Sequence, residues 1–114
     1  MDTKEDLINA LSKWAAKLDD PVYKEKFKGF DKTLQFNFKD QPFNLLMIFK
    51  NETCELKEGS VPNPDIVIIT SSHIILGIAK GEINPLKAFL SRKLKAKGNR
   101  TDMIKVQMLM KKIK

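Results

Sequence analysis

The chain has one cysteine, one histidine, one tryptophan and one tyrosine among its 114 residues. A lone cysteine, Cys54, excludes a disulfide within the chain and makes a reducing compartment the default expectation. A lone histidine, His73, leaves a histidine relay or histidine-based metal site without a second imidazole. Neither a glycine-rich phosphate loop nor a closely spaced carboxylate pair in an apolar setting is present. No run approaches the about 18 apolar residues needed to span a bilayer. The start, Met1-Asp2-Thr3-Lys4-Glu5-Asp6, is too charged for a secretory signal, and Lys112-Ile113-Lys114 is not a peroxisomal address, so the expected location is cytoplasmic. Catalysis, a metal centre and a cofactor are not expected.

Acidic residues are also in short supply: 14 against 21 basic ones, for a net charge of +7. The imbalance is local. From Lys80 to Lys114 there are eleven basic residues and only Glu82 and Asp102 to oppose them, whereas residues 1–79 carry ten basic and twelve acidic side chains. Such asymmetry points to a polyanionic partner, either nucleic acid or an anionic membrane surface. With 42% hydrophobic and 31% charged residues, the composition is that of a soluble globular protein. The length fits one domain over residues 1–114, which buries roughly two-thirds of its unfolded surface without staples.

Periodicity gives the order of elements. Leu7, Ile8, Leu11, Trp14, Ala15 and Leu18 recur at helical spacing, with Thr3 and Asp6 resembling a capping box. Asp19-Asp20-Pro21 ends this helix, and a short second one runs from Val22 to Lys28. Leu34, Phe36 and Phe38 then alternate with polar residues as a half-buried strand. Phe43 to Phe49 is a nearly continuous apolar run suited to a strand covered on both faces, and Thr53 to Lys57 is a shorter, more polar strand. Asp65 to Ile69 is a β-branched strand, after which Thr70-Ser71-Ser72 offers caps for a helix ending at Gly81. Asn84-Pro85 starts another helix, Lys93 to Lys97 alternates lysine with apolar residues as an edge strand, and Asn99 and Asp102 cap a helix running to the end. Strands flanked by helices in this order predict an α+β fold, a mostly antiparallel sheet covered by helices on one face.

Two residues capable of chemistry have plainer readings. His73 falls in the first turn of a predicted helix, where an exposed histidine is ordinary, and Cys54 falls on a mainly polar strand. The last helix is less ordinary. Met103, Val106, Met110 and Ile113 form an apolar stripe, but Ile104, Met108 and Leu109 widen it, and three of the five methionines fall here. Methionine suits surfaces that accept several apolar shapes. The helix is therefore a core element, a lid over an apolar cavity, or a dimerisation face.

The second half of the chain resembles the sterol carrier protein (nonspecific lipid-transfer) domain family. The likeness is carried by Pro64-Asp65 before the β-branched strand, Ser72, Leu76, Gly81, Asn84-Pro85, Ala88-Phe89, Ser91 and Lys93-Leu94-Lys95-Ala96-Lys97-Gly98-Asn99, with Leu34 to Phe38 fitting the first strand. Arg92 stands where that family commonly has glycine, and the turn after Phe49 lacks the usual Asp-Gly. The resemblance implies a five-stranded, mostly antiparallel sheet covered by helices, with an apolar tunnel under the C-terminal helix. Lipids, fatty acyl chains or sterol-like ligands would occupy that tunnel without catalysis. Its lining is then expected at Phe36, Met47, Phe49, Ile68, Ile75, Ala79 and Phe89, with Met103, Ile104, Met108 and Met110 as an adaptable wall. The basic C-terminal third reads as a docking feature for an anionic membrane. A nucleic-acid-binding module is the alternative, opposed by the lack of aromatics among the lysines; a structural dimerisation domain is another.

Overall fold

Alternation of Leu34, Phe36 and Phe38 with polar neighbours builds β1 (Thr33–Phe38) in a computed structural model that describes residues 3–112. β2 (Asn44–Lys50) and β3 (Thr53–Glu58) follow as antiparallel partners, joined through Asn51 and Glu52 at φ 52° and 63°. Two consecutive positive φ values are what a two-residue turn needs to match the twist of its strands, here without the usual glycine. β4 (Ile66–Thr70) lies parallel to β1, and β5 (Leu94–Lys97) pairs antiparallel with β4. The five strands are ordered β3-β2-β1-β4-β5, so the lysine-flanked strand is an edge as its alternation predicts.

Registers Leu34↔Met47, Phe36↔Leu45, Phe36↔Ile68 and Ile68↔Ala96 put the apolar alternates of every strand on one face. The helices cover that face: α1 (Thr3–Ala16), α2 (Pro21–Lys26), α3 (Ser72–Lys80), α4 (Pro85–Leu90) and α5 (Arg100–Leu109). α1 buries Leu7, Ala10, Leu11 and Trp14, and α3 buries Ile74, Ile75 and Ile78. Phe27, Phe30 and Phe49 close the β2 side as a ring cluster with centroids 5.2–5.6 Å apart. β2 carries helices on one face only, contrary to the both-faces expectation. Its Leu46 is nonetheless buried on the other side, where loop 59–64 folds back and Val61 N–H donates to Gln35 Oε1 at 3.0 Å.

Helix ends show where local reading yields to tertiary contact. Asn84 and Asn99 cap α4 and α5 as their positions predict, Asp20 also caps α2, and Gly81 ends α3 at φ 79°; Asp102, expected to share the α5 cap, instead pairs with Lys32. Thr3, expected with Asp6 to form a capping box, is the first described residue and is already helical, so what caps α1 lies outside the described residues. None of the three hydroxyls expected to cap α3 does so, and Ser72 is its first residue. Asp40, from the β1–β2 turn, accepts from Ser72 N–H at 2.9 Å and from the Ser72 hydroxyl. Slight burial pushes the Asp40 carboxyl up, but hydrogen bonds from Ser72, joined by those from its own backbone and from Gln41, together hold the group below its ordinary value. α5 stops at Leu109 instead of running to the end, where distant donors meet the chain: Lys17 Nζ donates to Leu109 O at 2.9 Å, and Trp14 Nε1 to Lys111 O, two residues past the helix, at 2.8 Å. Ile113, expected in the α5 stripe, lies outside the described residues.

Candidate functional site

Three short segments frame the β4–β5 end of the sheet. Asn84 Oδ1 accepts from Leu86 N–H and Lys87 N–H, and Pro85 supplies a preset first helical residue, so α4 starts sharply. It lasts six residues, and Arg92, at φ 63°, turns the chain into β5. Thr70 Oγ1 then donates to Lys93 O at 2.8 Å, fastening that turn to β4. Leu94 and Ala96 face inward from β5. At Gly98, φ is 142° and a Cβ would lie 2.8 Å from Asp65 O, so only glycine lets the chain cross β4 this closely before Asn99 starts α5.

α5 is held along the side nearest α1 and α2. Lys105 Nζ donates to Lys26 O at 2.7 Å and sits over the Phe27 and Phe30 rings, and Lys32 pairs with Asp102 at 3.5 Å. At the C-terminal end, burial followed by repulsion from Lys111 lowers the Lys17 pKa. The other side of α5 does not meet the sheet. Between them lies an open cavity of about 280 Å³.

The cavity is floored by Ile66 and Ile68 of β4 and Leu94 and Ala96 of β5. Pro85, Leu86 and Phe89 of α4 make one wall; Met103, Ile104, Val106 and Met110 make the other, with Arg100 and Gln107 the two polar members. Eleven of the thirteen side chains are thus apolar, and none is a carboxylate, imidazole, thiol or hydroxyl. Such a lining can solvate hydrocarbon and orient one polar end; it offers no nucleophile or carboxylate base.

Of the residues expected to line a ligand space, Ile68, Phe89, Met103, Ile104 and Met110 are brought together here. Phe36, Met47, Phe49, Ile75 and Ala79 are instead in the buried core, and Met108 packs half-buried against it. Eight lining residues were not anticipated: Ile66, Pro85, Leu86, Leu94, Ala96, Arg100, Val106 and Gln107. The alternation Lys93-Leu94-Lys95-Ala96-Lys97 carried the signal for two of them, since it puts Leu94 and Ala96 on the same face as Ile68. α5 directs Val106, Leu109 and Met110 into its own fold and leaves Ile104 exposed.

The two isolated chemical side chains lie elsewhere. His73 is exposed on α3. Cys54 is on β3, outside the cavity; burial pushes its thiol up to about 12, so it stays protonated and unreactive near neutrality. Among the described residues no group of three metal-ligating side chains converges, and no helix is long and apolar enough to cross a membrane.

The sequence model of the SCP-2 sterol transfer family matches residues 10–111. No curated protein sequence matches the chain. Among solved structures it is similar to sterol carrier protein-2 from Aedes aegypti in complex with a C16 fatty acid, palmitate, with a TM-score of 0.72 and 18% identity over 96% of this chain and 97% of that one. It is similar to the UbiJ-SCP2 ubiquinone synthesis protein, with a TM-score of 0.70 and 14% identity over 96% and 93% of the two chains. It also matches part of a stereoselective inverting sec-alkylsulfatase from Pseudomonas sp., with a TM-score of 0.66 and 20% identity over 80% of this chain. There the match spans 14% of the enzyme's length. At these identities the likenesses show a common fold.

Proposed function

The chain belongs to the SCP-2 sterol transfer family, and from that premise we propose that it binds the acyl chain of a fatty acid, or a similarly apolar lipid, in the cavity under α5, acting as one domain and without catalysis. The observation that carries this reading is the lining: eleven apolar side chains around about 280 Å³, with Arg100 and Gln107 as the two polar groups. Removing a methylene from water contributes about 0.8 kcal/mol, so a dozen contribute about 10 kcal/mol before the costs of association. That driving force has no direction, which predicts broad selectivity among chain types. The polar pair supplies what direction there is, with the Arg100 guanidinium suited to a carboxylate head.

At about 280 Å³ the cavity falls just short of the roughly 300–1,000 Å³ typical of ligand pockets. A long chain therefore needs room from the wall, and Met103 and Met110, with Met108 behind them, are the side chains best able to repack. Phe36, Met47, Phe49, Ile75 and Ala79 would be reached only by a ligand that displaces core. Titration with a fluorescent fatty acid, followed by displacement with palmitate and with cholesterol, tests the proposal. Saturable uptake at one site per chain, reversed by palmitate, is expected; absence of uptake with all of these ligands would contradict it.

A further inference from the structure

Among the described residues five large hydrophobic side chains are exposed, and four of them, Leu86, Phe89, Leu90 and Ile104, belong to α4 and α5. Leu86, Phe89 and Ile104 also line the cavity, so its mouth and this patch are one surface. Leu90 is outside the lining and is the most exposed of the group, at 70%. The segment that builds this surface is basic, although Lys95 and Lys97 alternate with Leu94 and Ala96 and so lie on the outer face of β5. From Ile83 to Thr101 there are six basic residues, Lys87, Arg92, Lys93, Lys95, Lys97 and Arg100, and no acidic one. All six are exposed, and among the described residues none forms an ion pair.

We propose that this mouth is a docking face for an anionic phospholipid bilayer, with α4 seated at the headgroup boundary. The proposal rests on the acyl-chain reading above and adds to it where the lipid is exchanged. An apolar patch rimmed by polar groups marks an interaction surface, and its chemistry selects the partner. Leucine and phenylalanine enter the headgroup–acyl boundary while long basic side chains keep their charge among anionic headgroups. Nucleic acid would satisfy the cations but not the leucines, and Phe89 is the single aromatic available for stacking. A second copy presenting this face would oppose this cationic segment with its own. Arg92 belongs to the same device: its backbone is in the left-handed region that favours glycine, yet the residue there contributes a cation. With this face on the bilayer, the cavity opens toward the acyl layer and a chain can move between them without crossing bulk water.

The test uses the full chain and sucrose-loaded vesicles of phosphatidylcholine, alone or with phosphatidylserine, alongside uptake of a fluorescent fatty acid in vesicle-free solution. Binding is expected to the phosphatidylserine vesicles and to weaken with salt. At about fivefold per cation near the surface, Arg92→Gln with Lys93→Gln should weaken it about 25-fold. Leu90→Asp should weaken it about tenfold or more. Arg92→Gly should weaken docking while relieving its backbone, so a loss accompanied by an unchanged or raised melting temperature is not unfolding. None of these residues lines the cavity, so uptake in solution should be unchanged. Vesicle binding that ignores Leu90→Asp and the double variant overturns the docking face and leaves the acyl-chain reading standing. Binding of an RNA or DNA oligonucleotide in place of vesicles overturns it as well. Vesicle binding that follows the variants in a chain showing no uptake supports the docking face and overturns the acyl-chain reading.

Discussion

Over β1 to β3 the apolar face of the sheet meets a closed core, while over β4 and β5 the same face looks into a cavity. The strands do not differ in kind, since Ile66 and Ile68 are as apolar as Leu34 and Phe36. What differs is the cover. α1 brings four buried side chains, including Trp14, and the Phe27–Phe30–Phe49 cluster fills the rest. α4 is six residues long with Ala88 as its one buried member, and α5 is strapped toward α2 and the loop before β1 by Lys105 and Asp102. Too little side-chain volume is left over the β4–β5 end to fill it. The packed core and the open cavity are therefore divided between two ends of one layer.

The largest effect expected from this division is at Phe36, fully buried on the closed side. Phe36→Ala should lower the unfolding free energy by about 3–5 kcal/mol in urea titration, because it leaves a void in packed surroundings. Met103→Ala, on a wall that already borders empty space, should cost less than about 1 kcal/mol yet weaken fatty acid uptake. Equal costs at the two positions would abolish the distinction between the halves. Next in size is Asp40→Ala, which removes the cap of α3 and should cost about 1–2 kcal/mol. The sign of its pH dependence follows from the depressed carboxyl. Its contribution is present above the ordinary value of 3.8 and is lost as pH falls through the lower folded value, so wild type and variant should converge in acid. The smallest effect is at Arg92. Leaving the left-handed region relieves about 1 kcal/mol, and added backbone entropy in the unfolded chain offsets about half, so Arg92→Gly should raise stability by about 0.5 kcal/mol. A melting temperature below wild type would remove Arg92 as a strained contributor to the basic rim.

Most of the fold was legible because period and punctuation agreed along the chain. Leu34-Gln35-Phe36-Asn37-Phe38 could be a strand only with its apolar members on one side, and Asn84-Pro85 could hardly avoid starting a helix. The α3 cap was not legible, since it comes from Asp40, 32 positions before Ser72. The end of α5 was hidden for the same reason: Lys17 meets its last carbonyl and Trp14 holds Lys111 just beyond it, both from more than 90 residues away in sequence. The site was half legible. Met103, Ile104, Met110, Ile68 and Phe89 stood out as adaptable or bulky, but whether an apolar residue borders packed neighbours or a gap depends on how far each covering helix reaches. Phe36 and Ile68 look alike in sequence, pair directly across β1 and β4, and end on opposite sides of that boundary.

The most direct measurement of the central claim, that the gap over β4 and β5 holds an acyl chain, is native mass spectrometry of the chain with palmitate, compared with Ala96→Trp. Ala96 is half-buried on the cavity floor, and an indole there fills the space while leaving the closed side untouched. The prediction is a single palmitate adduct on the wild type and none on a folded Ala96→Trp. An adduct that persists undiminished in the variant, or is absent from the wild type, would contradict the account.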